Sequence, residues 1–121
     1  MATYTKTLLS GSSLGQPITV VGTDNATHTT IHATGTSSSI IDEVWLYANN
    51  TSTSPVLLTV QFGGTGAVQN AKPITLAPQS GDVLIVAGLP LTGTGSVATT
   101  TYAFAATASV ITISGYVNRI S

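Results

Sequence analysis

His28 and His32 stand four positions apart, the spacing at which a helix would offer two imidazoles to one metal ion. The residues between them, Thr29, Thr30 and Ile31, favour a strand instead. Along a strand, positions i and i+4 share a face but lie ~13 Å apart, too far for a shared ion. Position 29 is threonine, so no HExxH motif forms, and both histidines read as ordinary strand or rim residues. Asp24 and Asn25 offer oxygens to a hard cation, but their spacing is not that of an EF-hand and few carboxylates lie nearby. A turn-forming Asx residue is the reading there. No metal site and no cofactor is expected.

Asp42 and Glu43 are the only adjacent acids. Sequential strand residues point to opposite faces, so these two cannot form the carboxylate pair of a glycoside hydrolase by themselves. Asp82 would join either one only through a tertiary contact. A structural role is expected, with Arg119 or Lys72 as the ion-pair partner. If one acid is buried, its partner matters for specificity of fold or assembly more than for net stability.

Serine, histidine and aspartate all occur, but no GxSxG elbow is present to raise a nucleophile. Gly63-Gly64-Thr65-Gly66 and Gly93-Thr94-Gly95 match neither phosphate-cradling pattern and read as hairpin turns. The sequons beginning at Asn25, Asn49 and Asn50 read as compositional accidents. No catalytic residue is assigned, and the chain reads as non-enzymatic.

The elements that would position these residues are strands. Threonine, valine and isoleucine fit a pleated sheet better than a helix, and no amphipathic helix is evident. Runs recur at Thr3 to Leu9, Gln16 to Val21, Thr27 to Ala33, Ile40 to Asn49, Val56 to Phe62, Pro73 to Leu76, Asp82 to Ala87, Val97 to Ala105 and Ser109 to Val117. Separators rich in Gly, Asn, Ser and Pro divide them. Alternation puts Val56, Leu58, Val60 and Phe62 on one face, and Asp42, Val44, Leu46 and Ala48 on another. Ile111 and Ile113 share a face, with Thr112 and Ser114 opposite. Eight to nine short strands at this spacing predict an all-β fold: a single antiparallel β-sandwich, jelly-roll-like. One domain is expected overall, with residues 1–13 as an N-terminal arm or first strand and 14–121 as the sandwich.

Composition narrows the function classes. Charged residues make up 6% of the chain and hydrophobic ones 42%, whereas an average soluble domain is about 25% charged. Three basic residues, Lys6, Lys72 and Arg119, cannot build a phosphate-tracking stripe, which argues against nucleic acid. Cysteine is absent, which removes disulfides and thiolate chemistry. Met1 to Lys6 lacks the basic and apolar regions of a signal peptide, and the longest apolar stretches fall far short of the ~20 residues of a membrane span. A soluble protein made in the cytoplasm is expected, with no membrane partner. A surface so poor in charge has little repulsion to keep copies apart, which hints at work inside an assembly.

The segments Ile41 to Asn50, Leu57 to Gly64, Ile74 to Gly81 and Val86 to Leu91, with the ending Ala103 to Ala106 and Val110 to Ile120, resemble small virion proteins of tailed bacteriophages. The resemblance implies a head-associated structural protein, a capsid decoration or cement protein that binds the major capsid protein and stabilises the virion head. It also implies a homo-oligomer, with a trimer favoured, and no catalytic residue. Candidate interface residues are Tyr4, Lys6, Leu8, Trp45, Tyr47, Leu89, Leu91 and Arg119. Trp45 and Tyr47 suit the core or a subunit interface about equally, since Trp and Tyr are enriched at interfaces. The other reading is a tail or head-fibre component that binds a host surface glycan or protein.

Overall fold

A computed structural model of the chain describes residues 2–63 and 70–121. It contains the strands β1 (Tyr4–Leu8), β2 (Ile18–Val20), β3 (Thr29–Ala33), β4 (Ile41–Asn50), β5 (Val56–Phe62), β6 (Ala71–Leu76), β7 (Val83–Thr92), β8 (Thr100–Ala105) and β9 (Ile111–Ile120). All pairings among them are antiparallel. The expected hairpin turn at Gly63 to Gly66 lies, beyond Gly63, outside the described residues.

The strands form two sheets, β1-β9-β4-β7 with β2 also on β9, and β3-β8-β5-β6. Taken as two halves of one interrupted strand, β1 and β2 both lie against β9. The remaining pairs then nest from the outside in: β3 with β8, β4 with β7, β5 with β6. That nesting is the jelly-roll form of the β-sandwich.

Side chains from both sheets fill the space between them. Val44, Leu46 and Ala48 of β4, Leu58 and Val60 of β5, Ala103 and Ala105 of β8, and Ile111, Ile113 and Val117 of β9 have no exposed surface. Each large aliphatic group so buried contributes about 1.5–3 kcal/mol over leaving it in water. The alternation read in β4 and β5 is therefore the inward-facing pattern of a half-buried sheet.

The inner face of β4 carries a polar residue at each end of its apolar run, Asp42 and Asn50, both buried. Asn50 donates through Nδ2 to the carbonyls of Ser54 (2.8 Å) and Leu76 (3.2 Å). Its Oδ1 accepts from the Ser52 amide and hydroxyl. One side chain thereby ties the loop after β4 to β6 of the opposite sheet.

The sandwich is strapped along one side. Residues 9–11 pass from β1 to β3, where the Gly11 amide donates to the Ile31 carbonyl (2.9 Å) and the Ala33 amide donates to Ser10 Oγ (2.7 Å). On the opposite side β6 and β7 are the edge strands, free among the described residues. β7 continues through Gly88 and Pro90 to Thr92, past the end at Ala87 that those residues suggest. An edge strand tolerates a proline that cannot donate to a ladder. Gly88, at φ +74°, sits at the first of two register shifts against β4.

Candidate functional site

Two groups of chemistry-bearing side chains stand on opposite faces of the first sheet. On the inner face, Asp42 of β4 meets His32 of β3 and Arg119 of β9. His32 Nε2 lies 2.7 Å from Asp42 Oδ2, Arg119 Nε donates to Oδ1 at 2.7 Å, and Arg119 Nη2 donates to Oδ2 at 2.8 Å. His32 and Asp42 are each 1% exposed, and the Arg119 side chain is 36% exposed. Burial alone would push the Asp42 carboxyl up. The hydrogen bonds from Arg119 and His32, with the nearby guanidinium charge, outweigh it and hold the group below its ordinary value. The same carboxylate raises the Arg119 guanidinium further.

Ser10 completes the group, and the residue types of a serine hydrolase meet here in another connectivity. The backbone amide of Ser10, and not its hydroxyl, donates to His32 Nδ1 at 3.0 Å. Ser10 Oγ accepts from the Ala33 amide. With Nδ1 held by an amide and Nε2 directed at Asp42, the imidazole has no ring nitrogen left to activate a nucleophile. The arrangement is a tie between sheets.

The two histidines do not share a face. A register shift between Thr30 and His32 turns both Ile31 and His32 inward. His28, ahead of the strand, packs instead on Tyr102 with ring centroids 3.9 Å apart. It belongs to a turn in which Asp24 Oδ1 accepts from the amides of Ala26 and Thr27 and from the Thr27 hydroxyl. The hydrogen bond from the Thr27 hydroxyl, helped by the two amides and opposed by a slight desolvation, holds the Asp24 carboxyl below its usual value. Asn25 of the same turn accepts from Gln61 Nε2, so the turn covers that part of the second sheet. Among the described residues, no group of three or more His, Asp or Glu side chains is placed to hold a metal ion.

On the outer face a row of side chains crosses β1, β9, β4 and β7 of the first sheet. Lys6 of β1 places Nζ 4.6 Å from the ring centroid of Tyr116 on β9. The Tyr116 and Trp45 rings are nearly parallel, 12° apart, with centroids at 6.3 Å. Trp45 of β4 then packs over Gly88 of β7, where an added Cβ would stand 3.0 Å from the indole. Beside the row, Trp45 Nε1 and Asn118 Nδ2 both donate to Glu43 Oε1, at 2.9 and 3.2 Å. These bonds, the one from Trp45 first, lower the Glu43 carboxyl. Backbone approach fixes the row from below: a Cβ on Gly115, at φ +152°, would lie 2.0 Å from the Trp45 carbonyl oxygen.

A cleft of about 720 Å³ opens between the free edges of β6 and β7, lined by Phe62, Lys72, Val86, Leu89 and Leu91 among others. Lys72 is the one charged side chain among its described lining residues.

Comparison with protein-family models, curated proteins and solved structures finds no match to this chain.

The eight candidate interface residues separate into three places. Tyr4, Lys6, Leu8, Trp45 and Tyr47 share the outer face of the first sheet, with Tyr4 and Leu8 72% and 56% exposed. Leu89 and Leu91 are half-buried, pack against the core and line the cleft. Arg119 turns its guanidinium to Asp42, and of the two cations expected as partners for the acids, Arg119 and Lys72, it is the one that pairs there. Tyr116, at the centre of the outer row, was reachable from the alternation. Two positions beyond Ser114, it falls on the face opposite Ile111 and Ile113. His32 gave no such signal, because a local register shift sets its direction.

Proposed function

We propose that this chain is a non-enzymatic structural protein of a tailed-bacteriophage virion, binding the capsid shell as a decoration or cement protein. The observation that carries the reading is the outer face of the first sheet. Tyr4, Leu8, Trp45, Tyr47 and Tyr116 lie together there with two charged groups, Lys6 and Glu43, each engaged within the face itself. Aromatic residues with few free charges are the composition of an interface core. The resemblance of the strand segments to small virion proteins supports the same reading.

The mechanism is mechanical. Each copy, acting as part of a homo-oligomer for which a trimer is favoured, bridges neighbouring coat subunits and removes surface from water. An interface of standard size covers ~1,600 Å² in total, and repetition over the shell multiplies its effect through avidity. Contacts that are apolar or neutral are only weakly screened by salt.

Co-sedimentation with purified capsid shells tests this. The expected result is saturable binding that survives a several-fold rise in salt and is lost in Tyr4→Ser/Trp45→Ala, with the sandwich still folded. Binding confined to isolated tails, or loss of shell binding on modest salt addition, would overturn it. The parallel Trp45 and Tyr116 rings beside Glu43 and Asn118 favour a second reading, a fibre component that binds a host glycan. Glycan-array binding that vanishes in Trp45→Ala, without any shell binding, would establish that reading in place of the first.

A further inference from the structure

We infer that the contact between Ser10 and His32 is an acid-operated latch on the strap that closes one side of the sandwich. The protonation state of the ring follows from its partners. A backbone amide can only donate, so Nδ1, 3.0 Å from Ser10 N, carries no proton. Nε2, facing the Asp42 carboxylate at 2.7 Å, carries the one proton of the neutral ring. A second proton has one place to go, Nδ1, and there it turns an acceptor into a donor aimed at another donor.

The two sides of the ring respond differently. On the Nε2 side, Asp42 keeps its hydrogen bond and its pair with Arg119, so the tie between the sheets survives the added charge. On the Nδ1 side, the Ser10 amide loses its partner. The strap's other bonds to β3, from Gly11 N to Ile31 O and from Ala33 N to Ser10 Oγ, flank the same point and rest on the same backbone path. Acid therefore acts on residues 9–11 selectively and opens a way for water to Leu9, which is 2% exposed when the strap is closed.

Among the described residues, the charged groups facing His32 are Asp42 from β4 and Arg119 from β9. Its register partner on β8 is Thr101, and the strap presents Ser10, neither of which titrates. Lys6 and Glu43 lie on the far face of the first sheet. His28, ahead of β3, lies outside against Tyr102. Among the described residues, no anion is paired with Nδ1 to offset the charge.

The test is nuclear magnetic resonance on the full chain as pH is lowered, following the His32 ring and amide-exchange protection together. Protection factors, which remove the intrinsic pH dependence of exchange, are compared at Ser10, Gly11 and Ala33 and at Leu46 and Val117. Strap protection is expected to fall about tenfold, the scale of one lost hydrogen bond that leaves a donor unpaired. The fall should track the charging of His32 while the β4 and β9 amides stay protected. In His32→Gln, which cannot charge, the strap should hold over the same range. Three results would overturn the latch: a ring that charges without change at Ser10 and Gly11, a ring that stays neutral until the whole domain unfolds, or strap and sheet amides failing together. If His32→Gln does not fold, the wild-type comparison of strap with sheet decides alone.

Discussion

Arg119 grips both oxygens of Asp42, with Nε on Oδ1 at 2.7 Å and Nη2 on Oδ2 at 2.8 Å, across neighbouring strands of one sheet. His32 reaches the same carboxylate from the other sheet. The carboxylate is thus the joint at which β3, β4 and β9 are fixed relative to one another, and its satisfaction depends on both partners.

Removing one partner should therefore cost more than a surface ion pair is worth. Stripping a fully buried carboxylate of its cation typically costs about 3–5 kcal/mol. Because the guanidinium is partly in water, Arg119→Ala is expected to lose about 2–3 kcal/mol. Urea denaturation measures this, and a loss no larger than that of an exposed pair would refute the buried-joint account.

The pH dependence has a definite sign. The Asp42 carboxyl lies below its ordinary value in the folded chain, so the native state binds fewer protons there than the unfolded one. Its contribution is complete above the unfolded value, near pH ~4, and is lost as pH falls through the folded value. Denaturation midpoints from neutral to acid pH should fall less steeply in Asp42→Asn than in the wild type. An identical slope in the two would show that other carboxylates dominate.

Asn50 should behave as a second anchor. Asn50→Ala removes both donors and the shared acceptor, leaving the Leu76 carbonyl and the Ser52 groups without this partner. A loss of about 2–3 kcal/mol is expected for several buried hydrogen bonds. Amide exchange should quicken first in residues 51–55 and in β6. Exchange that quickens instead around β1 and β9 would contradict the local role.

The outer row can be read by fluorescence, because Trp45 is the only tryptophan. Gly88→Ala places a methyl group 3.0 Å from the indole at a φ of +74°, costing about 1–2 kcal/mol in backbone strain and displacement. The Trp45 emission should shift to the red as the ring lifts toward water. Unchanged emission would mean the indole does not rest on β7.

Much of this architecture was legible in the residue order. The inward faces of β4 and β5 follow from alternation at Asp42, Val44, Leu46 and Ala48 and at Val56, Leu58 and Val60. The Asp42–Arg119 pair was one of two options, because a chain with three basic residues offers few cations. What alternation could not show are the places where it is broken. The register shift at Thr30 to His32 sends His32 inward, and nothing in Thr29-Thr30-Ile31 marks it. Gly88 and Pro90 read as the end of a strand, yet β7 accommodates them because it is an edge. Gln61 belongs by parity on the outer side, yet it is buried, with its Nε2 donating to Asn25 of the turn before β3.

The interrupted course of β7 bears on strand-to-strand pairing between copies of such a chain. With Asp42 and Arg119 drawn together in the core joint, Lys6, Lys72, Asp24, Glu43 and Asp82 are the ionic groups left to hold neighbours off. A straight free edge on so neutral a body would invite strand-to-strand stacking into fibrils. Two register shifts, a left-handed glycine and a proline bend that edge out of line. Along this edge, contour takes over part of the protection against strand stacking that charge would otherwise give.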